Sequence, residues 1–294
     1  MRITNSILYR AVKQNVQTAS QNIQRYQEQL SSGKRINRPS DDPLGAMRAQ
    51  QIHSNLNKID QFTRNTTYAK SWLNTTETAL SQSSDLLIRL KELAINFSSD
   101  NTNAENRQSA AEEVRNLKDQ MMALANAKAG NRTVFGGHKT DSPAFLPDGT
   151  YAGNDGQIKI NLNSDIAVEV NLTGDQAFES DSATNKSVFE TLDDLITSLE
   201  SNDRDGIAST LDELDTTFNN VNKNLSIVGS RQNQVENVNN SEADKKVTYR
   251  AELGQVEEVD IVESMIKLQG AQNTFQAALV SSSGIGKLSL ANYL

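Results

Sequence analysis

The sequence predicts a mainly α protein: long helices in a bundle, terminal helices that pair as a coiled coil, and a small outer antiparallel β domain inserted between helical arms. Three observations carry this expectation. Apolar residues recur at alternating steps of three and four along most of the chain, the spacing of a narrow helical seam. The period drops to two only after Gly130, where the glycine punctuation also gathers. Asn, Gln, Ser and Thr supply 101 of 294 residues, or 34%, against 36% hydrophobic and 5% aromatic. That composition suits helices with one thin apolar stripe, and suits a deep, dry enzyme pocket poorly.

The elements follow in order. Val12, Val16, Ala19, Ile23, Tyr26 and Leu30 are separated by 4, 3, 4, 3 and 4, with Ile3, Ile7 and Leu8 ahead of them. This is one seam, suited to a partner helix rather than to a globular core. Gly33 is the expected left-handed stop. Asn37 to Pro43 reads as a short loop: Pro39 disfavours helix at Arg38, and Asp42 before Pro43 fits an N-cap with proline at the first helical position. A long helix follows to about Phe97, its stripe including Ile52, Leu56, Ile59, Leu73, Leu80, Leu87 and Leu90. After a turn at 98–103, Ala111, Val114, Leu117, Met121 and Leu124 mark another helix.

Ile158, Ile160 and Leu162 alternate, as do Ile166, Val168, Val170 and Leu172, with Asp155-Gly156 and Asn163-Ser164-Asp165 at turns. This predicts a small antiparallel sheet. Helical spacing resumes at Val188, Leu192, Leu195 and Leu199. Past a break at 202–206 it runs through Ile207, Leu214, Val221 and Val228 to Val256. A last heptad segment holds Ile261, Met265, Leu268, Gln272, Phe275 and Leu279. The organisation expected is therefore terminal assembly helices at 1–40 plus 255–294, a bundle core at 41–130 plus 187–254, and the β-rich part at 131–186. Seams at both ends are simplest to bury against each other and against neighbouring copies.

The net charge of −8 is unevenly spread: residues 1–50 carry eight Lys/Arg against three Asp/Glu, and 151–294 carry ten against twenty-three. An acidic whole argues against a nucleic-acid binder. The basic N-terminal segment is either a solvated face or lies near an acidic cluster such as Glu257, Glu258, Asp260 and Glu263. No apolar run approaches the ~20 residues of a membrane span, so no membrane insertion is expected. The first thirty residues lack the apolar core of a secretory signal, which leaves a cytoplasmic protein or one exported without a cleaved signal.

The search for chemistry is mostly negative. The chain has no cysteine, excluding thiolate metal sites and a cysteine nucleophile. Ser32-Gly33-Lys34-Arg35 shares only Gly-Lys with a phosphate loop. His53 and His138 have no second ligand at metal spacing, and Asp148-Gly149 and Asp155-Gly156 lack the alternation of a calcium loop. Capping accounts for Asp41 and Asp42. No catalytic, cofactor-binding or metal-binding residue is assigned, although the sequence does not decide a carboxylate pair set by the fold.

Three stretches point to a family. Met1-Arg2-Ile3-Thr4-Asn5, Gln29-Leu30-Ser31-Ser32-Gly33-Lys34-Arg35-Ile36-Asn37-Arg38-Pro39-Ser40-Asp41-Asp42-Pro43 and Lys287-Leu288-Ser289-Leu290-Ala291-Asn292-Tyr293-Leu294 resemble the flagellin superfamily. Flagellins share the Ser-Ser-Gly, Arg-Ile-Asn and Asp-Asp core. The Asn-Arg-Pro-Ser-Asp-Asp-Pro run, the ending and Val134-Phe135-Gly136-Gly137 are more similar to the family's hook–filament junction branch than to its filament subunits. The likeness covers both terminal thirds; the middle insertion resembles nothing placed.

The resemblance implies a non-enzymatic, cofactor-free flagellar protein. It would be exported unfolded through the type III channel and lie outside the cell between hook and filament, serving filament assembly and swimming. It implies as partners flagellin, the hook-side hook-associated protein, other copies in a ring and an export chaperone. The motif loop is Gly33, Arg35, Asn37, Pro39, Asp41, Asp42 and Pro43. Ile3, Ile7, Val12, Val16, Ile23, Tyr26 and Leu30 form the N-terminal assembly seam; Ile261, Met265, Leu268, Phe275 and Leu279 form the C-terminal seam, shared with the chaperone. A minor flagellin, a secreted coiled-coil adhesin or effector, and a wall hydrolase built on the sheet are the competing readings.

Overall fold

The computed structural model describes residues 2–99, 103–179 and 186–291, with the side chains of 2–6, 8 and 284–291 outside the description. Seven helices lie among them: α1 (Arg2–Ser32), α2 (Pro43–Ser98), α3 (Ala104–Ala125), α4 (Gly174–Phe178), α5 (Val188–Glu200), α6 (Arg204–Glu257) and α7 (Ile261–Ala291). Four short strands intervene: β1 (Lys128–Ala129), β2 (Arg132–Thr133), β3 (Lys159–Asn161) and β4 (Ala167–Glu169). The chain divides into two compact units, Met1–Lys58 with Lys245–Leu294, and Ile59–Asp244.

In the unit Ile59–Asp244, the α2 seam runs through Ala69, Leu73, Leu80, Leu87, Leu90 and Ala94, all at most 2% exposed. The same three–four rhythm buries Ile207, Leu214, Val221, Val228 and Val235 on α6. Several seam positions are polar: Thr76, Ser83 and Thr217 are buried. Each hydroxyl donates to the carbonyl four residues back (Trp72 3.1 Å, Ala79 2.8 Å, Glu213 2.9 Å), so none is left unsatisfied. A pattern search restricted to apolar residues skips these positions.

Cross-helix ion pairs line the bundle's rim: Arg89 of α2 with Glu113 of α3 at 2.8 Å, Lys70 of α2 with Glu236 of α6 at 2.7 Å, and Lys118 of α3 with Asp193 of α5 at 2.5 Å. Helix α5 opens with a reciprocal cap: the Ser187 hydroxyl accepts from Glu190 N at 3.3 Å while the Glu190 carboxylate accepts from Ser187 N at 3.0 Å.

The expected antiparallel pairing is β3–β4; a second two-stranded antiparallel ribbon, β1–β2, lies outside the expected sheet. In β3–β4, Ile160 faces Val168. Beyond the ladder, Val170 N still donates to Ile158 O at 2.9 Å, but the Asn171 side chain takes the next backbone groups. The Asn171 side chain accepts from Ile158 N at 2.7 Å and donates to Gly156 O at 2.7 Å. The expected stretch also contains a helix, α4. Phe135, Phe145, Tyr151, Phe178 and, from α5, Phe189 form an aromatic cluster with ring centroids 5.1–5.7 Å apart. These phenylalanines belong to one continuous buried cluster with the bundle seams.

In the other unit, α1 and α7 pack along each other. A smaller apolar cluster of Ile36, Ala49, Ile52 and Val256 joins the loop after α1 to the start of α2 and the end of α6.

Candidate functional site

The terminal helices run antiparallel. Tyr9, Val12 and Val16 share a groove of about 440 Å³ with Phe275, Leu279 and Ser282. At the other end of the pair, Gly33 O accepts from Val259 N at 3.1 Å. On α1, Ala19 is buried and Val12, Val16, Ile23, Tyr26 and Leu30 are half-buried, while Ile7 is exposed and the side chain of Ile3 lies outside the described ones. On α7, Ser264 is buried and Leu268, Ala271, Gln272, Phe275, Ala278 and Ser282 are half-buried.

Of the C-terminal seam expected from sequence, Leu268 and Phe275 face inward, whereas Ile261, Met265 and Leu279 are exposed. The covered stripe keeps Leu268, Gln272 and Phe275 and widens toward the small residues beside them. Small residues at 264, 271, 278 and 282 alternate with Leu268 and Phe275 along the face that meets α1, with Leu279 at the rim of the groove.

The motif loop is a joint. Helix α1 stops at Gly33 with φ +72°, a left-handed conformation that favours glycine. Asn37 Nδ2 donates to Lys34 O at 3.0 Å, and Gln29 Nε2, buried, donates to Arg35 O at 2.8 Å. Pro39 turns the chain, and the Asp41 carboxylate accepts from Asn37 N at 3.2 Å and Arg38 N at 2.9 Å. Asp42 Oδ1 accepts from Gly45 N at 2.9 Å, capping α2 just ahead of Pro43. An added Cβ at Gly45 would sit 2.5 Å from Asp42 Oδ2 and 2.5 Å from Ile36 Cδ1, so those side-chain ends would have to move.

This joint is fastened to the end of α6. Arg35 N donates to Glu257 O at 2.6 Å, and its guanidinium donates to Val256 O at 2.9 Å and pairs with Asp42 at 3.2 Å. The guanidinium thus satisfies one orphan carbonyl at the helix end where positive charge is favoured. Lys34 Nζ lies 2.9 Å from one Glu257 oxygen and His53 Nε2 3.0 Å from the other. Of the two readings of the basic N-terminal segment, the acidic-neighbour one describes Lys34.

Burial opposes ionisation of Glu257, but Lys34 and His53 outweigh it and hold its carboxyl below the ordinary value. The Asp42 carboxyl is also held low, chiefly by the backbone N–H of Gly45 and, against a desolvation cost, by Arg35.

Sequence reasoning singled out Glu257 but missed Gln29 and the role of His53. Positions 53 and 257 are too far apart in the chain for spacing to connect them. His138 lies in a turn instead, its Nε2 3.1 Å from Gln157 O. Among the described residues no group of three or more His, Asp or Glu is placed to hold a metal ion. None of the described helices is long and apolar enough to cross a membrane.

Comparison with known proteins follows the same geography. Residues 3–140 match the bacterial flagellin N-terminal helical region and residues 211–294 the bacterial flagellin C-terminal helical region. A flagellar hook-associated protein 3 from Escherichia coli is 26% identical, the alignment covering 99% of this chain and 99% of that protein. A flagellin from Bacillus subtilis is 26% identical over 90% of this chain and 90% of its own length. The crystal structure of flagellar hook-associated protein 3 from Legionella pneumophila superposes with a TM-score of 0.63 at 18% identity, over 70% of this chain and 98% of that one, a likeness of fold.

Proposed function

Because the chain belongs to the bacterial flagellin family, we propose that it is a structural component of the flagellum, the adaptor between hook and filament. The single observation that carries this reading is the end-to-end match to a hook-associated protein 3, insertion included. The architecture supports it physically: two ends of one chain meet in a pair of long helices, and a capped joint holds that pair to the bundle helices within the same unit.

On this reading the hook-side hook-associated protein lies on one side and flagellin on the other. Copies of the chain form a ring outside the cell, and an export chaperone covers the α7 segment before assembly. The three-part division at 1–40 plus 255–294, 41–130 plus 187–254, and 131–186 assigns assembly to the first part and an outward position to the last. The protein catalyses nothing; its work is to hold two unlike polymers together, which needs two faces with different preferences.

A deletion strain tests this. Loss of the adaptor leaves hooks without filaments and flagellin in the medium, with swimming restored by the intact gene. Filaments of normal length on the deletion strain would refute the proposal and favour a minor filament subunit. Antibody labelling of isolated hooks should find the protein at the distal end.

A further inference from the structure

Within the unit Met1–Lys58 with Lys245–Leu294, two surface patches are not used by the α1–α7 seam. On the first turns of α2, Leu44 and Met47 are 75% and 64% exposed, and Arg48 beside them is exposed. On the first turns of α7, Ile261, Val262, Met265 and Ile266 are 59–69% exposed, and the exposed Glu258 lies three residues ahead of the helix. Spacings of three and four place Leu44 with Met47 and Arg48, Ile261 with Met265, and Val262 with Ile266. Large apolar side chains crowded on so few turns mark an interaction surface rather than ordinary scatter.

The charges around the patches are mostly spent. Lys34, Arg35 and Arg38 pair with Glu257, Asp42 and Glu28. Asp260 accepts from Glu263 N at 3.0 Å, capping α7, and Glu263 pairs with Lys267. Arg48, on the α2 patch, and Glu258, in the link between α6 and α7 with its carboxylate beside Gly254, remain with no ion pair among the described residues. Each patch is therefore an apolar centre with one uncommitted charge on it or ahead of it in the chain, and the two charges are opposite.

We propose that these patches are the two halves of one copy-to-copy contact, the start of α2 in one molecule docking on the start of α7 in the next, with Arg48 facing Glu258. The inference rests on the assembly reading above and names the surface that performs it. Pairing either patch with itself sets like charges against each other, so the favourable contact is head to tail. A head-to-tail contact repeats from copy to copy and closes into a ring when its rotation closes.

The absence of cysteine makes a clean test. Met47→Cys, Val262→Cys and the double variant are each expressed in the deletion strain, and isolated hook–filament preparations are mildly oxidised. The expected result is a ladder of disulfide-linked multimers from the double variant and monomer alone from either single. Dimers from a single variant, or monomer alone from the double, would overturn the pairing.

Charge exchange gives an independent readout. Arg48→Glu and Glu258→Arg are each expected to cut swimming at least tenfold, and the two together to restore it. Failure of the double exchange to do better than the singles also counts against the contact. Restoration of swimming by the unaltered chain tests the adaptor reading separately, so a failed cross-link in motile cells condemns only this pairing.

Discussion

Helix α7 presents two faces, and Phe275→Ala set beside Met265→Ala separates their roles. Phe275 is half-buried against α1, so truncation forfeits about half of the 1.5–3 kcal/mol that full burial contributes, or ~1 kcal/mol. That is about a fivefold rise in the population of the opened helix pair. Met265 is 59% exposed, and its truncation should shift the same equilibrium by less than about 0.5 kcal/mol.

Amide hydrogen exchange on the purified full-length protein reads this directly. Protection across Val12–Ile23 of α1 should fall severalfold in Phe275→Ala and stay unchanged in Met265→Ala. Swimming in a complemented deletion strain should fall in both, because Met265 lies in the exposed patch. Unchanged α1 exchange in Phe275→Ala, or exchange equally raised in Met265→Ala, would refute the assignment of the two faces.

Acid should loosen the joint first. Asp42 and Glu257 have depressed carboxyl pKa values, so their contribution is present above the ordinary carboxylate range and is lost as pH falls below about 4. Limited proteolysis at falling pH should cut near 33–42 before the bundle unfolds, and equal resistance of both would count against the network. Gly45→Ala should lower thermal stability by forcing Asp42 or Ile36 aside, measured as a drop in Tm; an unchanged Tm would show that the cap yields freely. Tyr151, pushed up to about 12 mainly by burial, should resist ionisation in ultraviolet titration to well above pH 10, the stability tied to its neutral form being lost as pH rises through that value. Replacing 131–186 by a short Gly/Ser linker should lower the bundle's melting temperature, because Phe189 loses the Phe145 ring 5.1 Å away; an unchanged melt would show that the insertion contributes nothing to the core.

The long helices were legible because a buried seam repeats locally. Residues three and four apart share a face whatever the rest of the chain does, so Leu73, Leu80, Leu87 and Leu90 mark α2 without knowledge of its neighbours. Punctuation was equally local: a glycine stop at Gly33 and an Asp42–Pro43 cap depend on a few adjacent residues. The motif loop and both family-like termini could likewise be read from runs of neighbouring letters.

What needed the tertiary structure is whatever joins distant positions or selects between two faces. On α7, composition favours the Ile–Met–Leu stripe, yet packing covers Leu268 and Phe275 together with the small Ser264, Ala271, Ala278 and Ser282 and leaves Ile261 and Met265 exposed. Beyond the β3–β4 ladder Asn171 takes backbone groups through a side chain whose competition with backbone partners no alternation pattern reveals. The Lys34–Glu257–His53 network unites positions more than two hundred residues apart in the chain, and only the folding back of α6 onto the start of α2 brings them within hydrogen-bond reach. Local periodicity determines which residues can share a helix face; which face is buried, and against what, is settled by shape and charge complementarity between segments that the sequence keeps apart.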